Sequence, residues 1–399
     1  MSALAGLSQA DVPSTWLTPR PARALPIHRW LVFPHSFAPE LVSWLIGELR
    51  LEPGGKLLDP FCGAGTTLVE SERHGFTPLG VDLLPLAVLA SRAKLIRPLL
   101  SDLRKGRERA VRAARDASVR TPTSQLLKRA FTPTTFARLT ASLESARGTA
   151  ADCVRLATLS IAPRFSSLVA DGGWLRESTP ELAPRLIPET LNQALLRMEE
   201  DLGDTPSHGH GAQIHCADAR ALPLEDGSID AVITSPPYPN RHDYTRVFAV
   251  ELELGFALGE SVKNLRYRAL RSHPEARHVA ISEDYEAPPG LSEQVSEVEA
   301  QHPDPRIPRM LDGYFRDLHV VLRELARIVR KDGVVALVVG NAQYAGVSIP
   351  VDDHLTRLAD RAGFSVVDSA VLRLRGNSAQ QMALHGRRPS RESVVMLRR

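Results

Sequence analysis

Residues 56–67 read Lys-Leu-Leu-Asp-Pro-Phe-Cys-Gly-Ala-Gly-Thr-Thr. The apolar run that stops at turn residues predicts a buried strand over 56–63. Gly63 and Gly65 let the backbone approach a ligand closely, and the helix opening after them offers free N–H groups suited to a carboxylate or phosphate. About twenty residues further on, a second strand predicted over 78–84 carries Asp82, where an acid can accept both hydroxyls of a ribose. This is a layout for an adenosine-bearing ligand. It departs from the dinucleotide fingerprint, because Leu68 stands where a third glycine would be.

Outward from this stretch, 230–238 and 333–340 read as two more buried strands, and 38–49 and 317–330 as helices, the latter ended by Lys331-Asp332-Gly333. Strands alternating with helices predict an α/β fold with a parallel, doubly wound sheet. The runs 364–375 and 392–399 predict a closing antiparallel hairpin.

Two stretches break the alternation. The first, 97–209, is helical in tone and carries 17 basic against 13 acidic residues. The second, 259–314, begins with a basic cluster, and its part 281–304 has seven acids and no Lys or Arg, which with Pro288-Pro289-Gly290 predicts an exposed or mobile loop. Without the first 24 residues and these insertions, 206 residues remain, a normal size for one α/β domain. The expected division is a core of 25–96, 210–258 and 315–399, interrupted by 97–209 and 259–314.

The run Asp230–Tyr238 ends in Thr234-Ser235-Pro236-Pro237-Tyr238. Two prolines cannot donate to a ladder, so the chain turns out at the strand's carboxyl end, where open α/β sheets place their ligands. The Ser235 hydroxyl and the Pro236 carbonyl can then face one small pocket, with Pro237 fixing the turn and Tyr238 along the wall. Such acceptors suit a ligand that presents N–H donors.

Together the two motifs closely resemble those of the exocyclic amino-group DNA methyltransferases, whose cofactor loop runs Asp-Pro-Phe-x-Gly-x-Gly-Thr-Thr. The resemblance implies a Rossmann-like class I methyltransferase sheet and S-adenosylmethionine as cofactor. It assigns Asp59, Pro60, Phe61, Gly63, Gly65, Thr66 and Thr67 to the methionine end and Asp82 to the ribose. The segment 28–46 looks like the family's N-terminal cofactor segment, with Phe37 as the contact. His215–Arg220 resembles the segment beside the cofactor's adenine, with Asp218 taking the amino group and Ala219 next to it. Ser235, Pro236, Pro237 and Tyr238 become the catalytic turn, with Tyr238 stacking a base flipped out of the duplex. Ser-Pro-Pro-Tyr is the form typical of N4-cytosine enzymes, although some serine-type members accept adenine. Cys62 lies inside the cofactor loop, and the Pro-Cys dipeptide of carbon-5 cytosine enzymes is absent, so it reads as a packing residue.

Double-stranded DNA is the expected partner, with a restriction endonuclease acting on the same site as a further one; the oligomeric state stays open. Candidate DNA contacts are Arg241, Tyr244 and Arg246 after the catalytic turn, Arg104, Lys105 and Arg107 on a basic helix, and Arg387, Arg388 and Arg391 on the hairpin loop. Target recognition falls mainly to 97–209, helped by 259–280, and no separate C-terminal recognition domain is expected. The net charge of +3 permits an anionic partner without demanding one, and 43 arginines against six lysines point to a GC-rich bacterial genome. Three scattered cysteines fit neither a disulfide framework nor a zinc site, so no metal is expected. No apolar run of membrane-spanning length occurs, and the bacterial cytoplasm is the expected compartment. The competing readings are N6-adenine methylation, guanine-N2 methylation of structured RNA, and a catalytically idle DNA-binding subunit.

Overall fold

A computed structural model describes residues 8–171, 174–204, 211–256, 259–277, 284–376, 386 and 389–399. Seven strands form the main sheet: β1 (Lys56–Asp59), β2 (Thr77–Asp82), β3 (Gln213–Cys216), β4 (Ile229–Thr234), β5 (Val329–Gly340), β6 (Ser365–Arg375) and β7 (Ser390–Arg398). Their order is β3-β2-β1-β4-β5-β7-β6, with the short strand Ser8–Gln9 added along β6. β1 to β5 are parallel, while β7 runs antiparallel to both β5 and β6. The doubly wound sheet and its closing antiparallel hairpin are thus as expected, in the strand order of the class I methyltransferase fold.

The two faces follow from alternation along each strand. Leu57, Ala231, Ile233, Val334 and Ala336 pack against helix Pro39–Glu48 through Leu41, Val42 and Leu45. Their neighbours Leu58, Val232, Val335 and Leu337 face the other way, onto helices Arg306–Ile328 and Val351–Arg361. A third core runs from helix Pro85–Leu95 into the first insertion, whose main helices Leu100–Asp116, Pro133–Ser145, Ala151–Ile161 and Ile187–Asp204 share it.

The insertions differ from expectation in detail. The first also contains a small hairpin, Leu168–Asp171 with Trp174–Glu177. In the second, the acidic stretch read as a loop holds helix Leu291–Gln301. Leu291, Val295 and Val298 recur at helical spacing and pack on the Arg306–Ile328 core, which leaves the acids facing outward. The helix expected over 317–330 starts eleven residues earlier, at Arg306, because Ile307, Met310, Leu311 and Tyr314 extend the same buried stripe.

Candidate active site

β1 and β4 lie side by side at the centre of the sheet, but the chain leaves β1 towards β2 and β4 towards β5. At such a reversal the loops diverge and leave a crevice. The Thr234 hydroxyl donates to Asp59 Oδ1 across it, at 2.5 Å. A cavity of about 390 Å³ opens there, lined by both sequence motifs.

On the β1 side, Gly63 and Gly65 take left-handed backbone conformations, φ +48° and +80°. A β-carbon at Gly65 would stand 2.9 Å from Ser91 Oγ. The Gly63 N–H donates to Asp82 Oδ2 at 2.9 Å, and the Leu84 N–H to Oδ1 at 2.8 Å. The Phe61 N–H donates to Asp59 Oδ1 at 3.0 Å. Burial pushes the Asp59 and Asp82 carboxyls up to about 6, against the pull of these hydrogen bonds. Pro60, Phe61, Thr66, Thr67 and Ala219 also line the cavity.

Beneath the loop lies Lys94, only 1% exposed. Its ammonium donates to the carbonyls of His28, Leu31 and Ala64 at 3.1, 2.8 and 2.7 Å, tying the loop to the segment that carries Phe33. Burial draws its pKa down to about 7. Phe37 reaches the cavity but also packs in the core around Leu41. Phe33, which the sequence did not single out, stands over Gly63, its ring 3.5 Å from where a β-carbon would be. Asp218 lines the cavity while its two carboxylate oxygens accept from Arg220 at 3.0 and 2.8 Å. Glycine backbone, the half-buried Asp82 carboxylate at the end of β2 and the start of helix Thr66–Arg73 together fit S-adenosylmethionine.

On the β4 side, Ser235, Pro236, Pro237 and Tyr238 all reach the cavity. Ser235 Oγ donates to the Tyr238 hydroxyl at 3.3 Å. Burial, and then the charge of Glu392, hold the Tyr238 hydroxyl well above its ordinary pKa. Tyr344 clamps the turn by donating to the Pro239 carbonyl at 2.6 Å. Glu392 lines the cavity in turn, held by Arg373 and Arg375.

The expected DNA contacts separate by environment. Arg241 is exposed, with its guanidinium over the Tyr344 ring. Tyr244 lines the cavity and stacks towards Phe33. Arg246 is bound to Glu275 and Asp243 instead of standing ready for a phosphate. Asp243 also caps the short helix Tyr244–Val247. Arg104 and Lys105 are exposed on helix Leu100–Asp116, whereas Arg107 turns inward to Glu199 and Asn192. Arg391 also turns inward, onto the buried Asp352, so it does not stand on an open loop. Arg387 and Arg388 lie outside the described residues.

No described residue of 97–204 lines the cavity; the second insertion does, through 268–273. His35 and His242 also meet at its wall, with Nε2 atoms 2.6 Å apart. These residues carry no local motif, and only the folded chain brings them together. Among the described residues no cluster of three or more His, Cys, Asp or Glu could hold a metal ion, and no helix is long and apolar enough to cross a membrane.

No protein-family model matches the chain. Over 93% of its length it is 28% identical to the type II methyltransferase M.BsoBI of Geobacillus stearothermophilus, covering 85% of that protein. It is 27% identical to the type II methyltransferase M.AvaI of Nostoc sp., with 94% of this chain and 87% of the relative covered. A shorter match, 41% identical over 70 residues, joins 17% of the chain to 15% of the type II methyltransferase M.MvaI of Kocuria varians. Among solved structures, an S-adenosylmethionine-dependent methyltransferase from Mesorhizobium loti aligns with 90% of this chain and 98% of its own, at 10% identity and a TM-score of 0.33. The fold assignment therefore rests on strand order.

Proposed function

We propose that this protein, similar over 93% of its length to a type II methyltransferase, transfers a methyl group from S-adenosylmethionine to the N4 amine of a cytosine flipped out of duplex DNA. One observation carries the reading. The glycine loop of β1 and the Ser-Pro-Pro-Tyr turn of β4 open into a single cavity, at the point where the sheet reverses direction.

The cofactor supplies an electrophilic methyl group on a positively charged sulfur. The chain's task is to bind, aim and dry. Ser235 Oγ keeps lone pairs free to accept from the amine while it donates to Tyr238. The Pro236 carbonyl serves as a second acceptor, and the two pull the nitrogen's lone pair towards the methyl group. Tyr238 offers a ring for the extruded base, a contact worth roughly 1–3 kcal/mol. Asp59, holding Thr234, fixes the loop on one side of the crevice relative to the turn on the other.

Serine at 235 favours cytosine, and N6-adenine is the second reading because the same two acceptors fit its amine. DNA in the bacterial cytoplasm is the substrate, marked within a short sequence that a partner endonuclease would also read. Expression in a methylation-free host, followed by single-molecule sequencing, tests this with Ser235→Ala alongside. N4-methylcytosine in one fixed sequence, lost in the variant, is expected. An adenine mark would move the assignment to the second reading, and cofactor binding without any DNA mark would overturn it.

A further inference from the structure

The segment Arg268–His273 forms a wall of the cavity that neither motif predicts. It is anchored at three points. The Arg268 carbonyl accepts from Arg220, Arg271 lies against the buried carboxylate of Asp317 at 2.7 and 3.2 Å, and the Ser272 carbonyl accepts from the Arg241 N–H at 3.1 Å. At one end the segment abuts Arg220, the partner of Asp218. At the other it abuts the loop that leaves the Ser-Pro-Pro-Tyr turn.

His273 stands at this second end and is 3% exposed. Neither of its ring nitrogens has a hydrogen-bond partner among the described residues. The nearest acid, Asp243, is 4.0 Å from Nε2. That carboxylate is already engaged by the Thr245 N–H and hydroxyl and by Arg266. A buried polar group left unbonded costs roughly 1–3 kcal/mol, so it persists where something completes it. With the Ser272 carbonyl held by Arg241 and the His273 carbonyl accepting from the Ala276 N–H at 3.2 Å, the backbone is fixed on both sides of the ring.

We propose that His273 donates its ring N–H to the target base, at the ring-nitrogen or carbonyl edge of the flipped nucleotide. Its position selects the base over the cofactor, because the backbone beside it is bonded to Arg241, three residues beyond Tyr238. A neutral imidazole carries one N–H donor, and a flipped cytosine presents acceptors for it at the ring nitrogen and the carbonyl oxygen. The inference rests on the DNA reading above.

The test uses the full chain, the sequence found to be methylated, and two duplexes that differ only in carrying the target base or an abasic site. His273→Ala is expected to lower kcat/KM for DNA about 10–100-fold, the loss of one buried hydrogen bond. KM for S-adenosylmethionine should stay within about twofold, because the lost contact is not to the cofactor. Affinity for the duplex with its base should fall, while the abasic duplex should bind wild type and variant alike. His273→Gln, which keeps a donor and an acceptor, should recover part of the loss and serves the same comparison where the alanine variant fails to fold. Equal weakening on both duplexes, or an effect confined to the cofactor, would overturn the proposal while leaving the DNA reading intact. A wild type that leaves DNA unmethylated removes both.

Discussion

The ring of Tyr238 packs on the backbone of Gly340, so closely that a β-carbon at 340 would stand 2.7 Å from two ring carbons. The end of β5 is therefore the floor on which the proposed stacking residue rests. Gly340→Ala should push the ring off its seat while leaving the β1 loop untouched. The expected outcome is a fall of about tenfold or more in kcat/KM for DNA, with the cofactor dissociation constant nearly unchanged, as an interaction lost mainly on the target side requires. Equilibrium binding and steady-state kinetics on the one variant check both halves.

Lys94 gives a prediction about pH. Its pKa is drawn down to about 7 in the folded chain, so between about 7 and its ordinary 10.5 the unfolded chain holds a proton that the folded one lacks. Folding stability from this group therefore rises as pH rises through that window. Denaturant unfolding of wild type and Lys94→Met at pH 7 and 9 should show the wild type gaining relative to the variant. Removing the ammonium also frees the Ala64 carbonyl, and one lost loop anchor should raise the cofactor dissociation constant about tenfold.

Asp59 and Asp82 run the other way. Both carboxyls sit near 6 because they are buried, so the free protein takes up protons there as pH falls. Ribose hydroxyls donate to a carboxylate, and that acceptor weakens once protonated. Cofactor affinity should decline as pH drops through about 6, whereas the contribution of these two groups to the stability of the free protein improves from pH 6 down to about 4. Titration calorimetry across pH 5–8 should find a shallower decline in Asp82→Asn, on a lower overall affinity.

Arginines that look alike in sequence should behave differently. Arg391→Ala strands the buried Asp352 carboxylate, which also accepts from Ser393 at 2.6 Å. The cost should be roughly 3 kcal/mol of folding stability. Lys105→Ala, on an exposed helix face, should leave stability unchanged and reduce the salt dependence of DNA binding by about one phosphate contact. Thermal melts and affinities at several salt concentrations separate the two.

The legible parts of this molecule are the contiguous ones. Asp59–Thr67 and Thr234–Tyr238 each hold their chemistry within nine residues or fewer, and the structure brings both motifs to one cavity. Sheet strands were legible because apolar runs bounded by Gly, Pro and Asp leave few alternatives. Helix Leu291–Gln301 was not, since charge density hid three apolar residues whose spacing matters more than their number. Phe33, His273, Arg375 and Glu392 had no local pattern to betray them. Their place at the cavity depends on strand order and on how the second insertion folds back, which are long-range facts.

β7 follows β6 in the chain yet lies between β5 and β6. The sheet thus cannot be completed until β7, synthesised after its other strands, has left the ribosome. Arg373 meanwhile donates to the Leu17 carbonyl, 356 positions away, so segments far apart in the chain meet on the same wall. A nascent chain displays the glycine loop long before it owns a finished cavity. A finished cavity therefore requires β7, and truncation before Ser390 should abolish methylation while sparing much of the helical insertion.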